Sequence, residues 1–85
     1  MEAFEYTITD PNGLHARPAG LLVRKAQEFD CEITLSCHGK SASLKKLLAV
    51  MGLGVRCGDT VSLSADGTDA PACVNALRAF FEENF

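Results

Sequence analysis

The chemistry-bearing residues of this chain crowd into one stretch, Asp10-Pro11-Asn12-Gly13-Leu14-His15-Ala16-Arg17-Pro18. Asp, Pro, Asn and Gly are turn residues: proline fixes φ, while asparagine and glycine tolerate positive φ. The turn ends a strand and opens a helix. His15 falls at the helix N-cap, and Pro18 within the first turn, where a missing N–H breaks no helical bond. A helix start leaves backbone N–H groups free and carries a partial positive charge, which suits an anion. His15 adds a nucleophilic imidazole and Arg17 a fixed guanidinium. A nucleophile, a cation and an anion-binding helix end within three residues of one another suggest phosphate chemistry on a histidine. The plainer alternative is a polar N-cap followed by a solvated arginine.

The flanking elements must hold this stretch in place. Phe4, Tyr6 and Ile8 alternate with Glu5, Thr7 and Thr9, which predicts a strand over residues 2–9 with one buried face. A helix is expected from Ala16 to about Phe29, with Ala19, Leu22, Val23, Ala26 and Phe29 as its apolar stripe. Gly20 inside that helix costs up to about 1 kcal/mol relative to alanine, and close approach by a neighbour or partner would explain it. Cys31, Ile33, Leu35 and Cys37 alternate with polar residues in a second strand, and His38-Gly39 turns into a short third strand over residues 40–43. His38 lies on the polar phase of that hairpin and is assigned no role in the site.

Leu44 to Met51 is a short, mostly apolar helical segment stopped by Gly52 and Gly54. Leu47, Leu48, Val50 and Met51 are too many for one narrow buried stripe, so part of this helix faces outwards, as contact surfaces do. Val50 is the one expected inside. Thr60 to Ala65 is a fourth strand with Val61, Leu63 and Ala65 inward. Asp69 is placed as N-cap and Pro71 in the first turn of a last helix reaching Glu83, whose stripe is Cys73, Val74, Leu77, Phe80 and Phe81. The order is β-α-β-β-α-β-α, with no repeat or linker, and implies a two-layer α+β sandwich.

The totals set bounds. With 85 residues, 47% of them hydrophobic, the chain can form one small globular domain, residues 1–85. No apolar run nears the roughly 18 residues of a membrane span, and the start lacks a signal-peptide pattern. The expectation is therefore a cytoplasmic protein with no direct membrane insertion. A net charge of −3 speaks against nucleic-acid binding. The four cysteines form no C-x-x-C pair and no zinc spacing. Cys31, Cys37 and Cys73 fall on apolar phases and read as core filling by free thiols. Redox or metal chemistry on these cysteines is the less favoured alternative, which thiol titration with and without zinc would distinguish.

Gly13-Leu14-His15-Ala16-Arg17-Pro18 resembles the active-site signature of HPr, the histidine-containing phosphocarrier family of the sugar phosphotransferase system. The resemblance continues through Gly39-Lys40-Ser41-Ala42-Ser43-Leu44-Lys45, Gly52-Leu53-Gly54 and Val61-Ser62-Leu63-Ser64-Ala65-Asp66-Gly67, and so spans the chain in order. It implies an open-faced sandwich: an antiparallel sheet in the order 1-4-2-3, covered on one side by three helices. It further implies that His15 takes a phosphoryl group on Nδ1 from phosphorylated enzyme I and passes it to enzyme IIA domains in sugar uptake. The backbone of Ala16 and Arg17 would bind the phosphoryl oxygens, and the Arg17 fork would pair with them.

The same resemblance makes Leu47, Leu48 and Met51, with Arg24, the docking residues for those partners. The expected protein is a monomeric carrier rather than an enzyme, with an open site, no pocket, no metal and no cofactor of its own. The alternative is an HPr-like regulatory paralogue that docks on regulators or serves a non-sugar branch. One departure stands out. Many family members carry a regulatory serine after the lysine matching Lys45, and here that position is Lys46. Lysine is a poor N-cap, so the helix is expected to start earlier with Ser43 as its cap. The chain should then escape the ATP-dependent kinase that modifies that serine, and no phosphoserine near Leu47 is expected after treatment with that kinase and ATP.

Overall fold

The computed structural model describes residues 1–85. The elements are β1 (Glu2–Thr7), α1 (Ala16–Ala26), β2 (Glu32–Cys37), β3 (Lys40–Ser43), α2 (Leu47–Met51), β4 (Thr60–Asp66) and α3 (Ala70–Asn84). The strands form one antiparallel sheet in the order β1-β4-β2-β3. Period-two patterning fixes the register: Phe4 and Leu35 both sit opposite Leu63, Tyr6 opposite Val61, and Ile33 opposite Ala65. These residues turn one face of the sheet toward the helices, in an open-faced sandwich. The other face is polar, with Ser62 and Ser64 of β4 flanked by Ser36 and Thr34 of β2 on one side and by Glu5 and Ala3 of β1 on the other.

Helices α1 and α3 bury their stripes as the periodicity predicts. Ala19, Leu22, Val23 and Ala26 of α1 and Cys73, Val74, Leu77 and Phe81 of α3 are all buried. Phe81 centres an aromatic group, with ring centroids 6.0 Å from Phe4, 5.5 Å from Tyr6 and 5.3 Å from Phe85. Such pairs add about 0.5–1.5 kcal/mol each beyond the area they bury. Phe29 and Phe80 are only half-buried against the core.

Several boundaries differ from expectation, each for a local reason. Strand β1 stops at Thr7 because the ladder slips beyond it: Ile8 N–H still donates to Asp59 O at 2.9 Å, but Ile8 O accepts Gly58 N–H at 2.8 Å, since Asp59 N–H turns back to Arg56 O at 3.0 Å. Helix α1 ends at Ala26 rather than Phe29. The N–H groups of Glu28 and Phe29 reach only three residues back, to Lys25 O and Ala26 O, which tightens the last turn. Helix α2 does not start early under a Ser43 cap. Ser43 Oγ accepts the Lys45 N–H at 3.3 Å, but Leu44 is drawn into the core and fully buried, and the chain closes a turn, with Lys46 N–H donating to Ser43 O at 3.1 Å, before the helix begins. Lys46 is itself the N-cap, with no side-chain bond to the helix. Asp69 is the N-cap of α3 by position, but its Oδ2 accepts the Asp30 N–H at 3.1 Å instead of capping its own helix.

Candidate functional site

The stretch 10–18 folds into two successive devices. The first is a turn. Gly13 N–H donates to Asp10 O at 2.9 Å, and Asp10 Oδ1 accepts the Asn12 N–H at 2.8 Å. Gly13 has φ +64°, and a Cβ there would lie 2.7 Å from Val55 O and 2.8 Å from Arg56 Cα. Only glycine allows the turn to lie flat against the loop after α2. Leu14 N–H then donates to Val55 O at 3.2 Å, and its side chain is buried. The other side of the turn is held by the last residue: Phe85 O accepts Thr9 N–H, Asp10 N–H and Thr9 Oγ1–H at 2.6, 2.9 and 2.8 Å.

The second device is the start of α1. His15 is extended (φ −88°, ψ 167°) and is the N-cap, without a side-chain bond to its own helix. The first helical bond runs from Ala19 N–H to His15 O at 3.0 Å. The N–H groups of Ala16 and Arg17 are therefore left for a ligand, and Pro18 has none to offer. The imidazole is 38% exposed, so an incoming group can reach it. Arg17 is exposed and takes part in neither ion pair of the molecule. His15 Nε2 lies 3.6 Å from Asp10 Oδ2. Imidazole, free amides and an unpaired guanidinium thus meet at one helix end.

A family model described as "PTS HPr component phosphorylation site" matches residues 3–83. The chain belongs to the HPr phosphocarrier family. It is 41% identical over 81 residues to the multiphosphoryl transfer protein of Xanthomonas campestris pv. campestris, covering 95% of this chain but 10% of that relative. This chain thus spans about a tenth of that relative's length. Among solved structures, HPr-C-His from Thermoanaerobacter tengcongensis superposes with a TM-score of 0.93 at 36% identity, covering 98% of this chain and 93% of that one. Crh of Bacillus subtilis, a catabolite repression protein seen as a dimer with a swapped domain, superposes at 0.77 and 32% identity, covering 98% and 95%. The likeness to HPr structures extends to the sheet order and the three helices.

The candidate docking residues continue from the same helix. Arg17, Gly20, Leu21 and Arg24 recur at spacings of three and four, and so share one face of α1. Arg24 is exposed, and so is Leu21, at 52%. Leu21 stands outside the buried stripe, so helical periodicity does not mark it. Nothing of this chain comes within 4 Å of where a Gly20 Cβ would be, so no neighbour inside the fold explains that glycine.

Helix α2 packs beside α1. Gln27 Nε2 donates to Lys45 O at 3.0 Å near its start, and Leu14 meets Val55 beyond its end. Leu47 and Leu48 point outward, Leu48 with 86% exposure, while Met51 is half-buried against the core and Val50 fully buried. An open hollow of about 380 Å³ lies between α1 and α3, lined by Lys25, Ala76, Ala79, Phe80 and Glu83, and includes none of these residues.

A second side-chain cluster stands at the same end of the sheet. Cys37 Sγ, His38 Nε2 and an Asp59 oxygen lie within 4.8 Å of one another, close enough to consider as metal ligands. Asp59 Oδ2 already accepts both the Arg56 N–H and the His38 ring at 2.8 Å. The Arg56 amide first, and His38 second, hold the Asp59 carboxyl below its usual range. Burial pushes the Cys37 thiol up, away from the thiolate a metal needs. The cluster is best described as a clamp: His38, at φ +56°, ties the β2–β3 hairpin to the loop on which Gly13 rests. The structure thus gives His38 a tertiary bond that its hairpin position did not announce.

Proposed function

We propose that this chain is a phosphocarrier that accepts a phosphoryl group on His15 from phosphorylated enzyme I and hands it to enzyme IIA domains in sugar uptake. Supporting this is the half-exposed imidazole at the N-cap of α1, with the Ala16 and Arg17 amides unpartnered beside it. With Nε2 turned to Asp10, Nδ1 is the nitrogen left to attack. Its lone pair forms the N–P bond as the bond from phosphorus to the donor breaks, and that electron pair leaves with the donor. Phosphoryl transfer asks for positioning and charge stabilisation, which the two amides, the helix dipole and Arg17 supply. The chain supplies half of a reaction centre and the partner the rest, so it acts as a carrier rather than an enzyme.

Arg24, Leu47, Leu48 and Met51, together with Leu21, form the surface on which partners dock, and an approaching partner explains Gly20. The chain works as one domain, as a monomer, in the cytoplasm. A regulatory role is the second reading, favoured by the similarity to Crh. Incubation with phosphoenolpyruvate, magnesium and enzyme I separates the two. A carrier gains the mass of one phosphoryl group, labile to acid and lost in His15→Ala. Arg17→Ala should transfer on the order of 10- to 1000-fold more slowly with its fold intact. No mass gain on the wild-type chain would favour the regulatory reading.

A further inference from the structure

Asp10 stands in the turn, five residues ahead of His15, with all but one of its polar groups engaged. Its N–H donates to Phe85 O at 2.9 Å, its carbonyl accepts Gly13 N–H at 2.9 Å, and its Oδ1 accepts Asn12 N–H at 2.8 Å. Oδ2 remains, and it faces His15 Nε2 at 3.6 Å. The carboxylate is 23% exposed against 38% for the ring, so the fold fixes the acid and the acid faces the more open imidazole. At 3.6 Å the contact is longer than a full hydrogen bond and too short for an intervening water. It is an attraction between a charge and an N–H dipole.

We propose that Asp10 is a positioning residue for His15: it keeps the ring proton on Nε2, reserves Nδ1 for the phosphoryl group, and eases that group's onward release. This rests on His15 being the acceptor. A carboxylate only accepts hydrogen bonds, so a neutral ring facing it presents Nε2–H; the other tautomer would set two acceptors against each other. The charge of Asp10 also repels a phosphoryl group from Nε2, while the start of α1 attracts one. Once Nδ1 is bonded to phosphorus, the ring shares positive charge with Nε2–H, and the carboxylate keeps that proton in place; a ring that had lost it would have to leave as an imidazolate, a far poorer leaving group than neutral imidazole. On transfer the N–P bond breaks, its electron pair returns to Nδ1, and the ring departs neutral with its proton still on Nε2. No proton has to move. The other charged side chain in the site is Arg17, which acts on the phosphoryl oxygens rather than on Nε2.

Asp10→Asn and Asp10→Ala provide the test. Asparagine can still accept the Asn12 N–H, so it separates the charge from the turn. Ring 15N chemical shifts of the unphosphorylated protein should report the Nε2–H form in the wild type and a more mixed population in both variants. At one fixed pH, the phosphohistidine should last on the order of three- to tenfold longer in Asp10→Asn, with backbone spectra unchanged. Wild-type ring shifts and lifetimes in both variants would overturn the role of Asp10. If the wild-type chain takes up no phosphoryl group at all, the acceptor role of His15 fails instead. The ring shifts, read without phosphate, still decide whether Asp10 sets the tautomer.

Discussion

At the scale of single residues, the thiols and the carboxylates behave oppositely because one set is buried and the other bonded. Cys31, Cys37 and Cys73 are buried, whereas Cys57 is exposed in the turn before β4. Burial above all, with the hydrogen bond that its thiol donates to Cys31 adding to it, pushes the Cys73 thiol up to about 12. Burial likewise pushes Cys31 up. A thiol reagent at pH 8 should therefore modify one cysteine in the native protein and four after unfolding; mass spectrometry counts the adducts, and Cys57 should carry the first. Asp59 moves the other way, held down first by the Arg56 amide and then by His38. A carboxyl lowered by folding contributes stability that is complete above its unfolded value and lost as pH falls through its folded value. Urea midpoints should fall below about pH 4, and less steeply in Asp59→Asn than in the wild type. Parallel acid limbs in the two proteins would refute this.

At the scale of elements, α2 divides its five residues between the core and solvent. Val50 anchors it in the core, and Leu44 and Leu53, both buried, pin the chain on either side. Leu47 and Leu48 are then free to face solvent. Leu48→Asp should leave stability within about 0.5 kcal/mol, since the side chain buries almost nothing. The same change should weaken binding of enzyme I on the order of tenfold, read by calorimetry or by the concentration dependence of transfer. Equal affinity would remove Leu48 from the docking surface. The element scale is also where the sequence misleads. Ser43 has the right chemistry for a cap, but burial of Leu44 outweighs it and postpones the helix to Leu47. Local capping preferences are worth about 1 kcal/mol, less than a fully buried leucine.

At the scale of the whole molecule, the turn that leads into His15 is a tertiary object. The loop after α2 supports it through Val55 and Arg56, and the end of α3 holds it through the Phe85 carbonyl. Phe85 in turn packs on Phe81, which packs on Phe4 and Tyr6 of β1. The geometry of the site therefore depends on the core that seats these rings. Leu77, fully buried in α3, lies in that core. Leu77→Ala should cost about 2–5 kcal/mol in urea unfolding. A loss below about 1 kcal/mol would mean that the core relaxes around the gap, and would weaken the link between core and site.

The alternation of Phe4, Tyr6, Ile33, Leu35, Val61 and Leu63, and the helical stripes from Ala19 and Cys73 onward, determined the element order and which faces are buried. Those patterns are local: each follows from period two or from 3.6, whatever the partner. The histidine, the arginine and the helix start were legible for the same reason, since caps and turns act over a few residues. Only the tertiary structure decided that Asp10 faces the imidazole, that Gly13 must be glycine because Val55 and Arg56 lie beneath it, and that the carboxylate of Asp69 serves Asp30 rather than its own helix. Each of those contacts joins side chains or backbone to groups whose positions depend on how the loops close, and no periodicity in the sequence encodes that closure.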